Sequence, residues 1–270
     1  MGIDRIRTAF CPERASFMPY LMLGYPTRNG SLEVARVLAE CGADLLELGV
    51  PFSDPLADGV VNQAAAQQAL ENGMTLAGCL EQVSALRAGG LNTPALLMSY
   101  VNPILAYGVE RCAAQAAQVG VDGFIIPDLP PEEAGEVVDA CREHRLGLVF
   151  LLAPNSPPER IQLAVEQSRG FLYLVSLTGV TGVRERLPQG LEEFIGRVRR
   201  STSQPLAVGF GISSAAQAAA VARLADGVIV GSALVRRSGE SLARLRDLAF
   251  ELSQAVHAAR GRDLPRLQVA

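Results

Sequence analysis

The sequence predicts an α/β fold, a (β/α)8 barrel in which parallel strands close on themselves inside a ring of helices. Two observations carry this. Short apolar, β-branched-rich runs alternate with longer stretches of helical period along the 270 residues, the signature of βα units around a parallel sheet. A weak internal repeat, Gly42-Ala43-Asp44, Gly120-Val121-Asp122 and Leu224-Ala225-Asp226-Gly227, ends a helix and introduces a strand each time. If these precede strands two, four and eight, each unit spans about 30 residues, the size of a βα repeat. Eight units then fill the chain without a linker, which favours a closed barrel over an open doubly wound sheet, and a single domain over residues 1–270.

The eight strand runs, in order, are Met18–Leu23, Asp44–Gly49, Ala95–Ser99, Gly123–Ile126, Gly147–Leu152, Leu172–Ser176, Leu206–Gly209 and Gly227–Val230. The helical stretches between and after them are Ser31–Cys41, Asn62–Glu71 with Thr75–Ala88, Val109–Val119, Pro131–His144, Pro158–Gln167, Gly190–Arg200, Ser214–Leu224 and Glu240–Ala259. Extra helices are expected at the N-terminus and in the second and eighth units. Pro131 ahead of Glu132 and Glu133 places a fixed φ and two carboxylates at a helix start, where the missing N–H costs nothing and the dipole favours negative charge. Ser213 or Ser214 is a natural N-cap for the alanine-rich stretch behind it.

Composition narrows the chemistry. The chain has 28 acidic and 24 basic side chains, and every basic one is arginine. Without lysine there is no Schiff-base aldolase, no internal pyridoxal lysine and no P-loop lysine, so any phosphate must be held by arginine, backbone N–H groups or helix N-termini. Only His144 and His257 are present, far apart in helix-like stretches, which leaves clustered histidine metal sites and Ser-His-Asp arrangements little to work with; no metal is expected. Carboxylates lead for acid–base work. A net charge of −4 with scattered arginines predicts no nucleic acid and no membrane surface as partner. The five cysteines form no CxxC and read as free thiols in a reducing compartment. No apolar run approaches the roughly 18 residues of a membrane span, and the N-terminus lacks a signal-type apolar region, so a soluble, cytoplasmic protein is expected.

In such a barrel the active site lies at the C-terminal ends of the strands. Glu47 interrupts the apolar run Leu45-Leu46-Glu47-Leu48-Gly49, where an alternate residue points inward. An ionised carboxylate there is costly unless paired, so its pKa should rise into the range of a general acid/base. Asp54 and Asp58 follow on a loop stiffened by Pro51 and Pro55. The alternative is structural: Glu47 paired with an arginine, the aspartates capping turns. At the other end of the chain, Thr178-Gly179-Val180-Thr181-Gly182, Gly209-Phe210-Gly211-Ile212-Ser213 and Val230-Gly231-Ser232 each follow a strand. Three such glycine-bearing segments after adjacent strands point to a phosphate site made from backbone donors, unless the glycines only make turns. Val180 to Pro188 reads as a loop able to close over substrate. Tyr173 and Tyr100 could aim hydroxyls inward, or be ordinary core. Tyr20, Ile125 and Phe210 would line an apolar pocket, and His144 reads as structural.

Leu46-Glu47-Leu48-Gly49-Val50-Pro51-Phe52-Ser53-Asp54-Pro55-Leu56-Ala57-Asp58-Gly59 resembles the signature of the tryptophan synthase α subunit family. Leu23-Gly24-Tyr25-Pro26, Tyr100-Val101-Asn102-Pro103-Ile104, Ile126-Pro127-Asp128-Leu129-Pro130, Tyr173 to Gly182, Gly209 to Ser213 and Gly231-Ser232 extend the resemblance in order along the chain. It implies a TIM barrel cleaving indole-3-glycerol phosphate to indole and D-glyceraldehyde 3-phosphate. It also implies an α2β2 complex with a β subunit that alone carries pyridoxal phosphate, this chain needing no cofactor. It assigns Glu47 as catalytic acid/base and Asp58 as the carboxylate facing the indole nitrogen. Tyr173 is assigned beside Glu47, Gly182, Gly211, Gly231 and Ser232 to phosphate, and Thr181 to the closing loop. Asp54, Asn102 and Asp128 fall on segments that resemble the partner face. The sequence departs from the family pattern at Val60-Val61-Asn62, where proline commonly follows Asp-Gly, at Tyr20, where phenylalanine is common, and at Leu177, often polar or basic. A stand-alone lyase, a non-catalytic barrel acting as an allosteric subunit, and another phosphate-binding barrel remain as alternatives.

Overall fold

The computed structural model of the protein describes residues 2–175, 190–209 and 211–259. Nine strands, β1 Ser16–Met22, β2 Leu46–Gly49, β3 Ala95–Met98, β4 Gly123–Ile125, β5 Gly147–Val149, β6 Leu151–Leu152, β7 Leu172–Val175, β8 Leu206–Gly209 and β9 Gly227–Val230, pair in parallel in the order β5-β4-β3-β2-β1-β9-β8-β7-β6. The two edges of that sheet are adjacent pieces of one stretch of chain. Residues 147–149 pair with β4, residues 151–152 pair with β7, and the carbonyl of Phe150 between them accepts from Tyr173 N at 3.1 Å. The expected fifth strand, Gly147–Leu152, is therefore divided at Phe150, where the stagger that lets a sheet close on itself falls. The result is a barrel of eight βα units with the helices outside.

Alternation along the strands builds two apolar layers. Met18, Leu45, Leu96, Ile125, Val149, Tyr173, Ala207 and Ile229, one from each unit, fill the barrel interior. The intervening residues, such as Phe17, Leu21, Leu46, Leu48, Leu97, Val208 and Val228, face outward and bury the apolar stripes of the helices. The expected N-terminal helix is α1, Gly2–Thr8. Its Ile6, fully buried, plugs the N-terminal end of the barrel, where a Cβ at Gly147 would collide with it.

The Asp-bearing repeat has a physical role there. Asp44 Oδ2 accepts from Phe17 N at the start of β1, and Arg14 grips both carboxylate oxygens at 2.9 and 2.6 Å. Asp122 Oδ2 accepts from Ala95 N at the start of β3 (2.8 Å) and from Arg87 (2.7 Å), with Arg5 Nε 2.9 Å from Oδ1. Asp226 Oδ2 accepts from Leu206 N at the start of β8 (2.8 Å) and pairs with Arg199. Each aspartate thus pins the start of its own strand to that of the preceding unit, using the planar fork that arginine has and lysine lacks.

The helices mostly follow the sequence pattern: α2 Gly30–Glu40, α3 Val60–Glu71, α4 Leu76–Ala88, α6 Val109–Val119, α8 Pro158–Gln167, α9 Leu191–Arg199 and α10 Ala215–Ala222. Ser214 is the N-cap of α10, its hydroxyl accepting from Gln217 N. Three differences stand out. The third unit carries an extra helix, α5 Val101–Tyr107, outside the expected second and eighth units. No helix is expected across Asn102-Pro103, yet a proline in the first turn surrenders no hydrogen bond, and Asp128 satisfies Val101 N from outside at 2.9 Å. The stretch Pro131–His144 is a 3-10 turn, Pro131–Glu133, followed by α7 Gly135–Glu143. The eighth unit holds two helices, as expected, but they are α11 Ser232–Glu240 and α12 Leu242–Ala258, so Glu240 ends the first helix instead of starting the second. Ser241 caps α12, its hydroxyl accepting from Arg244 N.

Candidate functional site

The barrel mouth, at the C-terminal ends of the strands, gathers the polar residues that break the strand pattern. Glu47 sits in the middle of β2, paired in register with Tyr20 of β1 and Leu96 of β3. It shares the inward face with Leu45, is 1% exposed, and its Oε1 has no hydrogen-bond partner among the described residues. None of the arginines among those residues pairs with it, so the structural alternative of an arginine bridge finds no support there. Burial without compensation pushes its pKa up to about 8.

Asp58 is held at the end of the 51–59 loop by hydrogen bonds to both its side chain and its backbone. Its Oδ2 accepts from the Tyr100 hydroxyl at 2.9 Å, its Oδ1 accepts from Asn62 Nδ2 at 3.1 Å, and its backbone N–H donates to the Pro55 carbonyl at 3.0 Å. The Tyr100 hydroxyl in turn accepts from Ala57 N at 2.9 Å, so one oxygen clamps both the loop backbone and the carboxylate. Phe52 packs against the Tyr100 ring with centroids 5.5 Å apart. Burial raises the Asp58 carboxyl above its usual range, opposed by the Asn62 and Tyr100 hydrogen bonds. Asn62 was legible in the sequence only as a departure from a family pattern. Its spacing, four residues beyond Asp58 at a helix start, is the signal that could have singled it out.

Tyr20 and Tyr173 face each other's region across the mouth, both buried. Burial first, then the nearby Glu47 and Asp58 carboxylates, hold both hydroxyls protonated well beyond an ordinary tyrosine. Each ring leans over a glycine of the next strand: a Cβ at Gly49 would strike the Tyr20 hydroxyl, and one at Gly209 would strike that of Tyr173. Gly231 leads into α11, whose first residue, Ser232, is exposed. A Cβ at Gly231 would lie 3.7 Å from Tyr20 Cβ and 3.9 Å from Asn62 Nδ2, so this helix N-terminus abuts the carboxylate end of the site. Gly211, with φ +75, is an exposed turn ahead of α10. Ile125 is fully buried in the same interior layer as Tyr173. Thr181, Gly182, Phe210, Leu177 and the 180–188 loop lie outside the described residues.

Asp54, Asn102 and Asp128 are all exposed on loops and α5 at the rim. Asp54 accepts from its neighbour's Ser53 hydroxyl at 2.5 Å, and Asp128 from Val101 N. In the same segments Leu56 is 93% exposed, Val60 76% and Leu105 51%. His144 lies away from the mouth, capping α7 and bonding Glu110 at 2.6 Å. No described helix is long and apolar enough to cross a membrane.

Comparison with known proteins identifies the family. Residues 7–260 match the family model described as tryptophan synthase alpha chain. A tryptophan synthase alpha chain from Roseiflexus sp. (strain RS-1) is 53% identical over 244 residues, covering 88% of this chain and 94% of the relative. That of Dehalococcoides mccartyi is 46% identical over 256 residues, covering 94% and 100%. Among solved structures, a chain of Mycobacterium tuberculosis tryptophan synthase superposes with a TM-score of 0.86 at 44% identity, covering 95% of this chain and 96% of that one. Tryptophan synthase subunit alpha of Legionella pneumophila gives 0.84 at 34% identity, covering 94% and 96%.

Proposed function

The chain belongs to the tryptophan synthase alpha chain family and is a carbon–carbon lyase of tryptophan biosynthesis, and from that premise we propose that its barrel mouth splits indole-3-glycerol phosphate into indole and D-glyceraldehyde 3-phosphate by acid–base chemistry. The observation that carries the reading is Glu47: a buried carboxyl with no cation on it among the described residues, mostly protonated near neutral pH yet able to ionise. Such a group is matched to giving and taking a proton in one cycle.

Glu47 donates its proton to indole C3, and positive charge develops over the ring to the nitrogen. Asp58, fixed by Tyr100 and Asn62, accepts a hydrogen bond from the indole N–H and stabilises that charge as it forms. The hydroxyl on the carbon attached to C3 then loses its proton to Glu47, and its oxygen lone pair becomes the aldehyde C=O. The carbon–carbon bond breaks with its electrons returning to the ring. One proton is given and one is taken, so Glu47 ends as it began. Tyr20 and Tyr173, kept neutral, wall the reacting carbon from water. The phosphate is held by backbone donors at Gly182, Gly211, Gly231 and Ser232, with the positive end of α11 behind the last two.

Absence of lysine means that pyridoxal chemistry, where tryptophan synthase uses it, belongs to a β-chain partner. The exposed Leu56, Val60 and Leu105, with Asp54, Asn102 and Asp128 among them, are the face proposed for it, in an α2β2 complex. Residues 1–270 are proposed to act as one barrel domain. Release of indole from indole-3-glycerol phosphate by the purified chain, with and without a β subunit and with Glu47→Gln in parallel, tests all of this. Turnover that survives in Glu47→Gln refutes the mechanism, and turnover indifferent to the β subunit makes the chain an independent lyase.

A further inference from the structure

Asn62 stands in the first turn of α3 with its two amide atoms in opposite circumstances. Nδ2 donates to Asp58 Oδ1 at 3.1 Å, and because an ionised carboxylate only accepts, this hydrogen bond sets which way round the amide sits. Oδ1 is then turned away from Asp58, buried, and without a hydrogen-bond partner among the described residues. A buried carbonyl oxygen left unsatisfied carries its full desolvation penalty. Such an atom is retained where something else satisfies it in the working state.

The position says what that partner is. Asn62 stands close to both ends of the site, its Nδ2 bonded to Asp58 and 3.9 Å from where a Cβ on Gly231, at the start of α11, would stand. On the reading given above, which this inference rests on and deepens, Asp58 faces the indole nitrogen and Gly231 the phosphate. The part of the substrate that spans from one to the other is the glycerol chain, whose two hydroxyl groups are donors. We propose that Asn62 is a positioning and specificity residue, its amide N–H holding the Asp58 carboxylate and its unpartnered carbonyl oxygen accepting a hydrogen bond from a glycerol hydroxyl of the substrate. Neighbouring Gln63 does not duplicate this, since its amide donates to the Asp58 backbone carbonyl at 2.9 Å and is exposed.

The test compares Asn62→Leu and Asn62→Ala with wild type on two ligands: indole-3-glycerol phosphate, and 3-(indol-3-yl)propyl phosphate, which has the same skeleton without hydroxyls. With no acceptor for the glycerol hydroxyl, kcat/KM for the substrate falls about 10- to 100-fold, the range of one buried hydrogen bond. The Kd of the hydroxyl-free analogue changes by less than about threefold. Removing the amide N–H also withdraws support from the Asp58 anion, so the acidic limb of the kcat/KM profile moves to higher pH, which mere loss of packing would not do. Equal losses for both ligands, or no loss for either, overturn the proposal. Thermal melts identify a variant that fails to fold, and the second substitution then carries the comparison. Wild type that neither releases indole nor binds the analogue brings down the functional reading and this inference together. Wild type that does both while the variants show no selectivity brings down only the role of Asn62.

Discussion

Replacing Glu47 by glutamine changes stability as well as rate, and the stability change has a pH signature fixed by the structure. The carboxyl moves from its ordinary value of 4.5 to about 8 on burial, so between those pH values the folded protein holds a proton that the unfolded chain has lost. Folded chains that bind more protons lose stability as pH rises. The cost is absent below pH 4.5, grows by about 1.4 kcal/mol per pH unit through the interval, and levels off above pH 8 near 5 kcal/mol. Glutamine cannot ionise, so the difference in stability between variant and wild type should swing in the variant's favour by about 3 kcal/mol between pH 5 and pH 8. Other titrating groups contribute equally to both proteins and cancel. Urea denaturation of the two proteins at half-unit pH steps measures the swing directly, while turnover falls by about 100-fold or more. A stability difference that stays flat from pH 5 to pH 8 would show that Glu47 is solvated or paired, and the acid–base argument would fail with it.

Tyr100→Phe removes the oxygen that clamps both Ala57 N and Asp58, and is expected to cost about 1–2 kcal/mol of stability and lower kcat/KM about 10-fold, read by melting and indole release. Gly209→Ala drives a methyl into the Tyr173 hydroxyl, and an affinity loss for the hydroxyl-free analogue together with about 1–3 kcal/mol of destabilisation is expected; unchanged binding would place the tyrosine elsewhere. Asp122→Ala strands Arg87 at the closed end of the barrel and should lower stability by about 3–5 kcal/mol in denaturant while leaving kcat of the surviving folded enzyme near that of wild type. Leu56→Asp should weaken association with a β subunit, measured by sedimentation, without shifting the melting temperature of the free chain, because the side chain is 93% exposed.

The strands were legible because the barrel imposes two requirements on each, an apolar inward face and an apolar outward face, and Met18–Leu23 or Leu206–Gly209 satisfy both in a short run. Glu47 was legible as a violation of that pattern. What the sequence concealed is what depends on partners distant along the chain. The break at Phe150 comes from pairing with two different strands. α5 forms around a proline because Asp128, from another unit, meets its first N–H. The aspartates at 44, 122 and 226 looked like strand punctuation, and only the hydrogen bonds to Phe17, Ala95 and Leu206 reveal their work as ties between units. Asn62 stayed hidden because an amide in a first helical turn is ordinary until its unpartnered oxygen is seen.

Those ties have a consequence for how the protein can change. They crowd one rim of the barrel, while the carboxylates, tyrosines and α11 N-terminus crowd the other. A mutation's phenotype should therefore sort by height along the barrel axis: heat sensitivity with intact kinetics at the lower rim, altered kinetics coupled to altered heat resistance at the upper. Selection for a hardier enzyme could then draw on lower-rim positions without disturbing the chemistry, whereas selection for a different substrate would move stability along with it.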